Sequence, residues 1–170
     1  METSERISPE NITTENEYLI YLCHVFSYVA ASKNIAHGSF VLDVGCGNGY
    51  GTSMLSKNSA NIIGLDVDKK TINRATMKYK SKNCSFQYYD GQTLPFADSA
   101  FDAITSLQVI EHVKNEQRYL WEIHRVLKPG GIFILTTPNK TYRIGKTMKP
   151  WNKYHLREYF PYELLDIVKK

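Results

Sequence analysis

The stretch Val41-Leu42-Asp43-Val44-Gly45-Cys46-Gly47-Asn48-Gly49-Tyr50-Gly51 decides the fold. Consecutive apolar residues at 41 and 42 read as a strand buried on both faces, and the glycines that follow read as a turn opening a helix. Glycine there permits positive φ and lets a ligand approach the backbone with no Cβ in the way. The spacing excludes two ligand classes. A dinucleotide turn wants G-x-G-x-x-G, and counted from Gly45 its third glycine falls on Tyr50. A P-loop wants Gly-Lys-Ser/Thr after the glycines, and none follows. What stands there is G-x-G-x-G, preceded by Asp43. A carboxylate beside the turn suits a ligand carrying positive charge rather than a pyrophosphate.

Outward from this turn, further β-rich segments lie at 61–66, 85–89, 101–106 and 131–137, and the turn's own strand spans 40–44. Strand starts are roughly 15–30 residues apart with mostly helical character between them, which predicts an α/β, three-layer sandwich: a mainly parallel sheet with helices on both faces. The segment around Leu94-Pro95-Phe96 is loop-like. Over 116–127, Tyr119, Leu120, Ile123, Val126 and Leu127 form one helical stripe that Pro129-Gly130-Gly131 ends. Residues 16–31 predict an N-terminal helix, 138–160 the longest irregular connection, and Pro161 a helix start.

The length, 170 residues, fits one domain. It is organised as an N-terminal helical segment (1–37), a ligand-binding core (38–139) and a basic acceptor-side loop with the start of a helix (140–170). Hydrophobic residues at 42% and charged residues at 22% support a real core, and a net charge of +4 is too mild to signal nucleic acid alone. The charge is uneven: 1–17 carries five Glu against Arg6, whereas 140–170 carries eight Lys or Arg against three acids. Cys23, Cys46 and Cys84 read as free thiols of a reducing compartment. The most apolar run, 18–31, is too short to span a bilayer and contains His24 and Ser27. With an acidic N-terminus and no secretory pattern, a cytoplasmic protein with no membrane partner is expected.

Four motifs recur in order after the glycine turn. Ile63-Gly64-Leu65-Asp66-Val67-Asp68 closes the second strand with an acid, and Tyr89-Asp90-Gly91 closes the third. Leu94-Pro95-Phe96 precedes Phe101-Asp102, and Leu127-Lys128-Pro129-Gly130-Gly131 precedes the fifth strand. In these the chain resembles class I S-adenosylmethionine-dependent methyltransferases with a Rossmann-like sheet, of the methyltransferase type 11, ubiquinone-biosynthesis-like group. The resemblance implies S-adenosyl-L-methionine as cofactor and S-adenosyl-L-homocysteine as product. By the same resemblance Gly45, Cys46 and Gly47 put backbone against the methionine moiety, and Asp43 supports its ammonium group directly or through water. Asp66 takes the ribose hydroxyls and Val67 packs on the adenine. Asp90 accepts from the adenine amino group, and the Gly91 N–H meets a ring nitrogen. The Leu107 and Gln108 backbone closes the pocket near the sulfonium. Plainer readings stand beside these: Asp66 or Asp68 as a helix cap, Asp90-Gly91 as an ordinary turn, Cys46 as merely small.

Methyl transfer from a sulfonium is an in-line displacement that needs positioning and a dry pocket, with a base when the acceptor is a hydroxyl. The candidate catalytic residues are Glu111, His112 and His155, and helical spacing would turn Gln108, Glu111 and His112 the same way. The pattern resembles a subgroup with Glu-x-x-Glu-His after strand four, Thr-Pro-Asn after strand five and a later histidine. Its metal-dependent members bind a divalent cation through both acids and both histidines. Thr137-Pro138-Asn139, Glu111, His112 and His155 match, but Gln108 replaces the first Glu, and a neutral amide is a poor ligand for a hard cation. No metal ligand is assigned. The histidines acting without metal, a metal site, and a capping role for Glu111-His112 remain three readings. If both histidines converge over the methyl group, the late loop must fold back, anchored by Pro150, Trp151, Tyr154, Tyr159 and Phe160.

Members of the family normally carry seven strands, so the resemblance implies that the last two are missing here and that the fifth-strand edge is open to pairing, as in a homodimer. The expected function is methyl transfer to a small-molecule acceptor, the hydroxyl of a sugar or phenol-like compound. Tyr154-His155-Leu156-Arg157-Glu158-Tyr159 resembles a segment common in methyltransferases acting on glycan building blocks. The alternatives are an RNA or protein methyltransferase using the basic tail, nucleic acid not being favoured, and an inactive cofactor-binding fragment.

Overall fold

A computed structural model describes residues 7–143, 150 and 152–169. Five parallel strands, β1 (Phe40–Val44), β2 (Asn61–Asp66), β3 (Cys84–Tyr88), β4 (Phe101–Leu107) and β5 (Leu127–Thr136), form one sheet in the order β3-β2-β1-β4-β5. The helices are α1 (Glu15–Asn34), α2 (Tyr50–Leu55), α3 (Lys69–Tyr79), α4 (Glu116–Val126), α5 (Lys140–Arg143) and α6 (Pro161–Val168). The chain order reverses between β1 and β4, and in such sheets ligands bind outside the carboxyl ends of the strands at that crevice.

Alternation along the central strands sends apolar side chains to both faces. Leu42, Val44, Leu65 and Ile104 pack with Tyr119, Ile123 and Val126 of α4. Val41, Ile62, Ala103 and Leu107 pack with Tyr28 and Ala31 of α1, with Ile35 just beyond its end, and with Leu55 of α2. Each such aliphatic side chain contributes about 1.5–3 kcal/mol on burial. α1 starts at a capping box, in which the Thr14 hydroxyl accepts from Glu17 N and the Glu17 carboxylate accepts from Thr14 N. No helix among the described residues is long and apolar enough to cross a membrane.

The fifth strand departs from expectation. The stripe on α4 ends at Val126, and Pro129-Gly130-Gly131 lies inside β5 rather than in a turn before it. Phe101 pairs with Leu127 but Ala103 with Ile132, so the extra residues form a bulge, with Gly130 at φ 77°. Lys128 in the bulge reaches Asp102 at 2.6 Å, and the other oxygen of Asp102 accepts from Phe40 N at 2.9 Å. That acid therefore pins β1 and β5 to the start of β4.

The β3–β4 loop is held by α4. Arg125 donates to the carbonyls of Leu94 (2.9 Å) and Phe96 (2.8 Å), and buried Glu122 accepts from Leu94 N at 2.6 Å. The late chain returns over the carboxyl edge: Leu156 N donates to Glu111 O at 2.8 Å, and Asn139 bridges Tyr159. Tyr159 is buried and its hydroxyl donates to Glu116 at 2.9 Å. Of the expected loop anchors, Trp151 lies outside the described residues.

Candidate functional site

The glycine turn is tied to the neighbouring strand. Gly45 N and Cys46 N both donate to Leu65 O, at 2.7 and 2.8 Å, and Gly49 N donates to Cys46 O at 3.0 Å. Gly45, Gly47 and Gly49 all have positive φ, as the spacing requires. A side chain at Gly45 would stand 2.3 Å from Val109, whereas one at Gly47 would enter open space. Gly47 therefore presents bare backbone to a cavity of about 390 Å³.

Asp66 closes that cavity on the β2 side. It is 4% exposed, accepts from Gly47 N at 3.1 Å through one oxygen and from Asp68 N at 2.9 Å through the other, and borders the cavity. Asp68 caps α3 by accepting from Lys70 N and Thr71 N. Of the sequence-derived binding residues, Gly45, Cys46, Gly47, Val67, Leu107 and Gln108 also border the cavity. Cys46 packs so closely on β2 that a Cβ at Gly64 would come within 3.0 Å of its sulfur.

Three expected contact residues lie outside the cavity lining. Asp43 is fully buried beneath the turn and outside the cavity wall. Its carboxylate accepts from Thr52 (2.6 Å), Thr105 (2.7 Å) and Tyr28 (3.1 Å), and Tyr28 stands at the cavity wall in its place. Burial pushes the Asp43 carboxyl up to about 6, although the three hydroxyls oppose the shift. Asp90 is exposed and outside the wall; it accepts from Gln92 N and Thr93 N, and these N–H groups hold its carboxyl below the ordinary range. Gly91 is exposed and likewise outside the wall; a Cβ there would lie 3.2 Å from Val67, which borders the cavity.

After β4 the chain is not an α-helix. Gln108 takes φ 59°, its amide donates to the Thr136 hydroxyl at 3.1 Å, and residues Ile110–His112 form a single 3-10 turn. The helical spacing expected to turn Gln108, Glu111 and His112 the same way is therefore absent, although Gln108 and His112 both border the cavity. His112 borders the cavity, and its Nδ1 lies 3.0 Å from the Tyr154 carbonyl. A carbonyl only accepts, so that nitrogen carries hydrogen and Nε2 is the basic one in the neutral ring. His155 is buried behind His112, the ring centroids 5.0 Å apart, and its Nδ1 meets Glu158 at 2.7 Å. Glu111 is fully buried and accepts from the Thr137 hydroxyl at 2.9 Å, and its Oε1 has no hydrogen-bond partner among the described residues. Desolvation raises its carboxyl above the ordinary range. Candidate ligand atoms of Glu111, His112 and His155 lie within 4.8 Å of one another, so these three residues could hold a cation.

Sequence reasoning missed part of the wall: His24, Tyr28, Tyr50, Tyr89 and Lys114. The only available signal for His24 was its place as a polar residue in the most apolar helix.

A parallel sheet with a glycine turn at its reversal point and a buried acid closing the adjacent strand defines a Rossmann-like nucleoside-binding domain. A family model described as a methyltransferase domain matches residues 42–135, and the chain belongs to that family. S-adenosyl-L-methionine is the cofactor this membership implies, and the open backbone at Gly47 and the carboxylate of Asp66 fit it. A probable S-adenosylmethionine-dependent methyltransferase of Mycolicibacterium smegmatis is 32% identical over 168 residues, 98% of this chain and 63% of its own length. A fatty-acid O-methyltransferase of the same organism is 34% identical, covering 76% of this chain and 46% of its own. The mitochondrial ubiquinone biosynthesis O-methyltransferase of Dictyostelium discoideum is 36% identical, covering 65% and 40%. This chain thus spans less than two thirds of the length of each. Among solved structures, a complex of the Haloferax volcanii Trm112 methyltransferase activator with a methyltransferase aligns at TM-score 0.80 and 19% identity, covering 99% of this chain and 76% of that one, which supports the fold.

Proposed function

We propose that the chain forms the cofactor-binding part of an S-adenosylmethionine-dependent O-methyltransferase acting on the hydroxyl of a small molecule, a sugar or a phenol-like compound. The observation that carries this reading is Asp66, a buried carboxylate bound to the Gly47 N–H at the edge of the cavity. Two relatives of different acceptor class are both O-methyltransferases, which favours oxygen as the acceptor atom.

When bound, the cofactor supplies a methyl group activated by its sulfonium. The Gly45–Gly47 backbone seats the methionine portion, Asp66 accepts from the ribose hydroxyls, and Val67 and Tyr89 flank the adenine, with Gly91 beside Val67 and Asp90 next to it in the chain. Leu107 and the Gln108 backbone border the sulfonium. Tyr28 passes the charge of Asp43 to the ammonium group. His112, with Nδ1 held by the Tyr154 carbonyl, takes the acceptor proton on Nε2. Glu111 beside it favours the imidazolium that results, and His155 with Glu158 positions the His112 ring from behind.

Titration calorimetry tests the reading. S-adenosylhomocysteine should bind saturably, NAD should not, and Asp66→Ala should weaken S-adenosylhomocysteine by about 1–3 kcal/mol, the scale of charged hydrogen bonds. Tight NAD binding, or unchanged affinity in a folded Asp66→Ala protein, contradicts it.

A further inference from the structure

α1 is apolar on both sides. Its inner face buries Tyr28 and Ala31 against the sheet. A surface helix ordinarily turns polar residues to water, yet α1 turns out Leu19 at 58% exposed and Phe26 at 69%, with Val29 exposed and Leu22 half-buried between them. A contiguous exposed apolar stripe marks a contact surface. Leu19, Leu22, Phe26 and Val29 step by three, four and three residues, the seam of a helix that packs lengthwise on another helix. The same stepping leads back to Glu15, the first residue of α1, and on to Lys33 in its last turn, both exposed. An acid closes the seam at one end and a base at the other, about 27 Å away at about 1.5 Å per residue.

The seam also maps onto itself when reversed. Positions 15 and 33, 19 and 29, and 22 and 26 are each centred on residue 24. Two α1 helices laid antiparallel across a two-fold axis at that level bring Leu19 against Val29, Leu22 against Phe26 and Glu15 against Lys33, and the symmetry makes each pair twice. Parallel helices would instead stack Glu15 on Glu15 and Lys33 on Lys33.

We propose that the outer face of α1 is a self-association surface, on which a second copy of this chain packs its own α1 antiparallel across a two-fold axis. The occupant follows from the charges: a second copy, reversed, brings a base to each acid and an acid to each base. The surface lies across α1 from Tyr28 at the cavity wall, so pairing does not occupy the ligand site. Cys23 stands one residue from the centre on the flank of the seam and is exposed, whereas Cys46 and Cys84 are buried. Pairing therefore brings the two copies of Cys23 to the same side of the axis. One helix pair is a small contact beside the roughly 800 Å² per partner of a standard interface, so the dimer should dissociate on dilution.

Sedimentation equilibrium of the chain tests this. The weight-average mass should rise with concentration toward twice the 19.6 kDa of one chain. Phe26→Glu alters an exposed side chain, so it should keep the wild-type circular dichroism and sediment as a monomer. Glu15→Lys and Lys33→Glu should each weaken association about 2- to 30-fold, the range for two exposed ion pairs lost. Combining the two should restore it. The double swap leaves both charges opposed to the helix dipole, so its recovery reports pairing and not helix stability. A short bismaleimide should couple wild-type chains into dimers and fail on Cys23→Ser. A mass that stays at one chain at every concentration overturns the proposal and leaves the face to another partner. A dimer that survives Phe26→Glu, as one paired through the β5 edge would, overturns it equally, as does a double swap no better than the single changes or a dimer that Cys23 does not couple.

Discussion

Asp43→Asn should change how stability depends on pH. Asp43 is fully buried and receives hydroxyl donors from Tyr28, Thr52 and Thr105. Burial still wins over these donors and lifts its carboxyl from 3.8 to about 6. A folded-state value above the unfolded one means the folded chain holds this proton more tightly. The stabilisation is present below pH ~4 and lost as pH rises through about 6. At about 1.4 kcal/mol per unit, the shift corresponds to ~3 kcal/mol. Asparagine has no such proton, so the wild-type-minus-variant difference in unfolding free energy should fall by roughly that amount between pH 4 and 7. Urea denaturation of both proteins across this range measures it, and subtraction removes the contribution of the other titrating groups. A difference that stays flat across the range would refute the argument that desolvation dominates at Asp43.

Two further outcomes follow from the site. In a methyl-transfer assay with an accepted substrate, His112→Ala should lower turnover by about 10²–10⁴ and His155→Ala by about 10–100-fold, as for a supporting residue; S-adenosylhomocysteine affinity should hold in both, and a larger loss from His155→Ala would reverse the assigned roles. Gly45→Ala, whose Cβ would meet Val109 at 2.3 Å with φ at 77°, should melt lower than Gly47→Ala, whose Cβ meets nothing within 4 Å; the latter should cost only the ~1–2 kcal/mol of a left-handed residue.

β1 and β2 occupy 40–44 and 61–66 as the sequence predicts, because their apolar runs are bounded by turn residues on both sides. β5 was less legible. Pro129-Gly130-Gly131 carries the composition of a turn, and only pairing with β4 makes it a bulge inside a strand. The Gln108 conformation was likewise hidden, since nothing local in Gln108–His112 opposes helical spacing; the constraint is Thr136 on the neighbouring strand, which receives both the Gln108 amide and its backbone N–H. The placing of Asp43 depends on three hydroxyls from α1, α2 and β4, a convergence that no spacing encodes. Glu158 shows the same limit: a surface-looking acid in a basic tail is 2% exposed against His155. The place of Asp66 at the cavity was legible because it follows from where β2 ends.

The most direct test of the account is the structure of this chain with S-adenosylhomocysteine bound. The account predicts both ribose hydroxyls on the Asp66 carboxylate, the tail over Gly45–Gly47, and the sulfur directed toward His112. A ligand seated outside this cavity, or within it with the ribose away from Asp66, would contradict it.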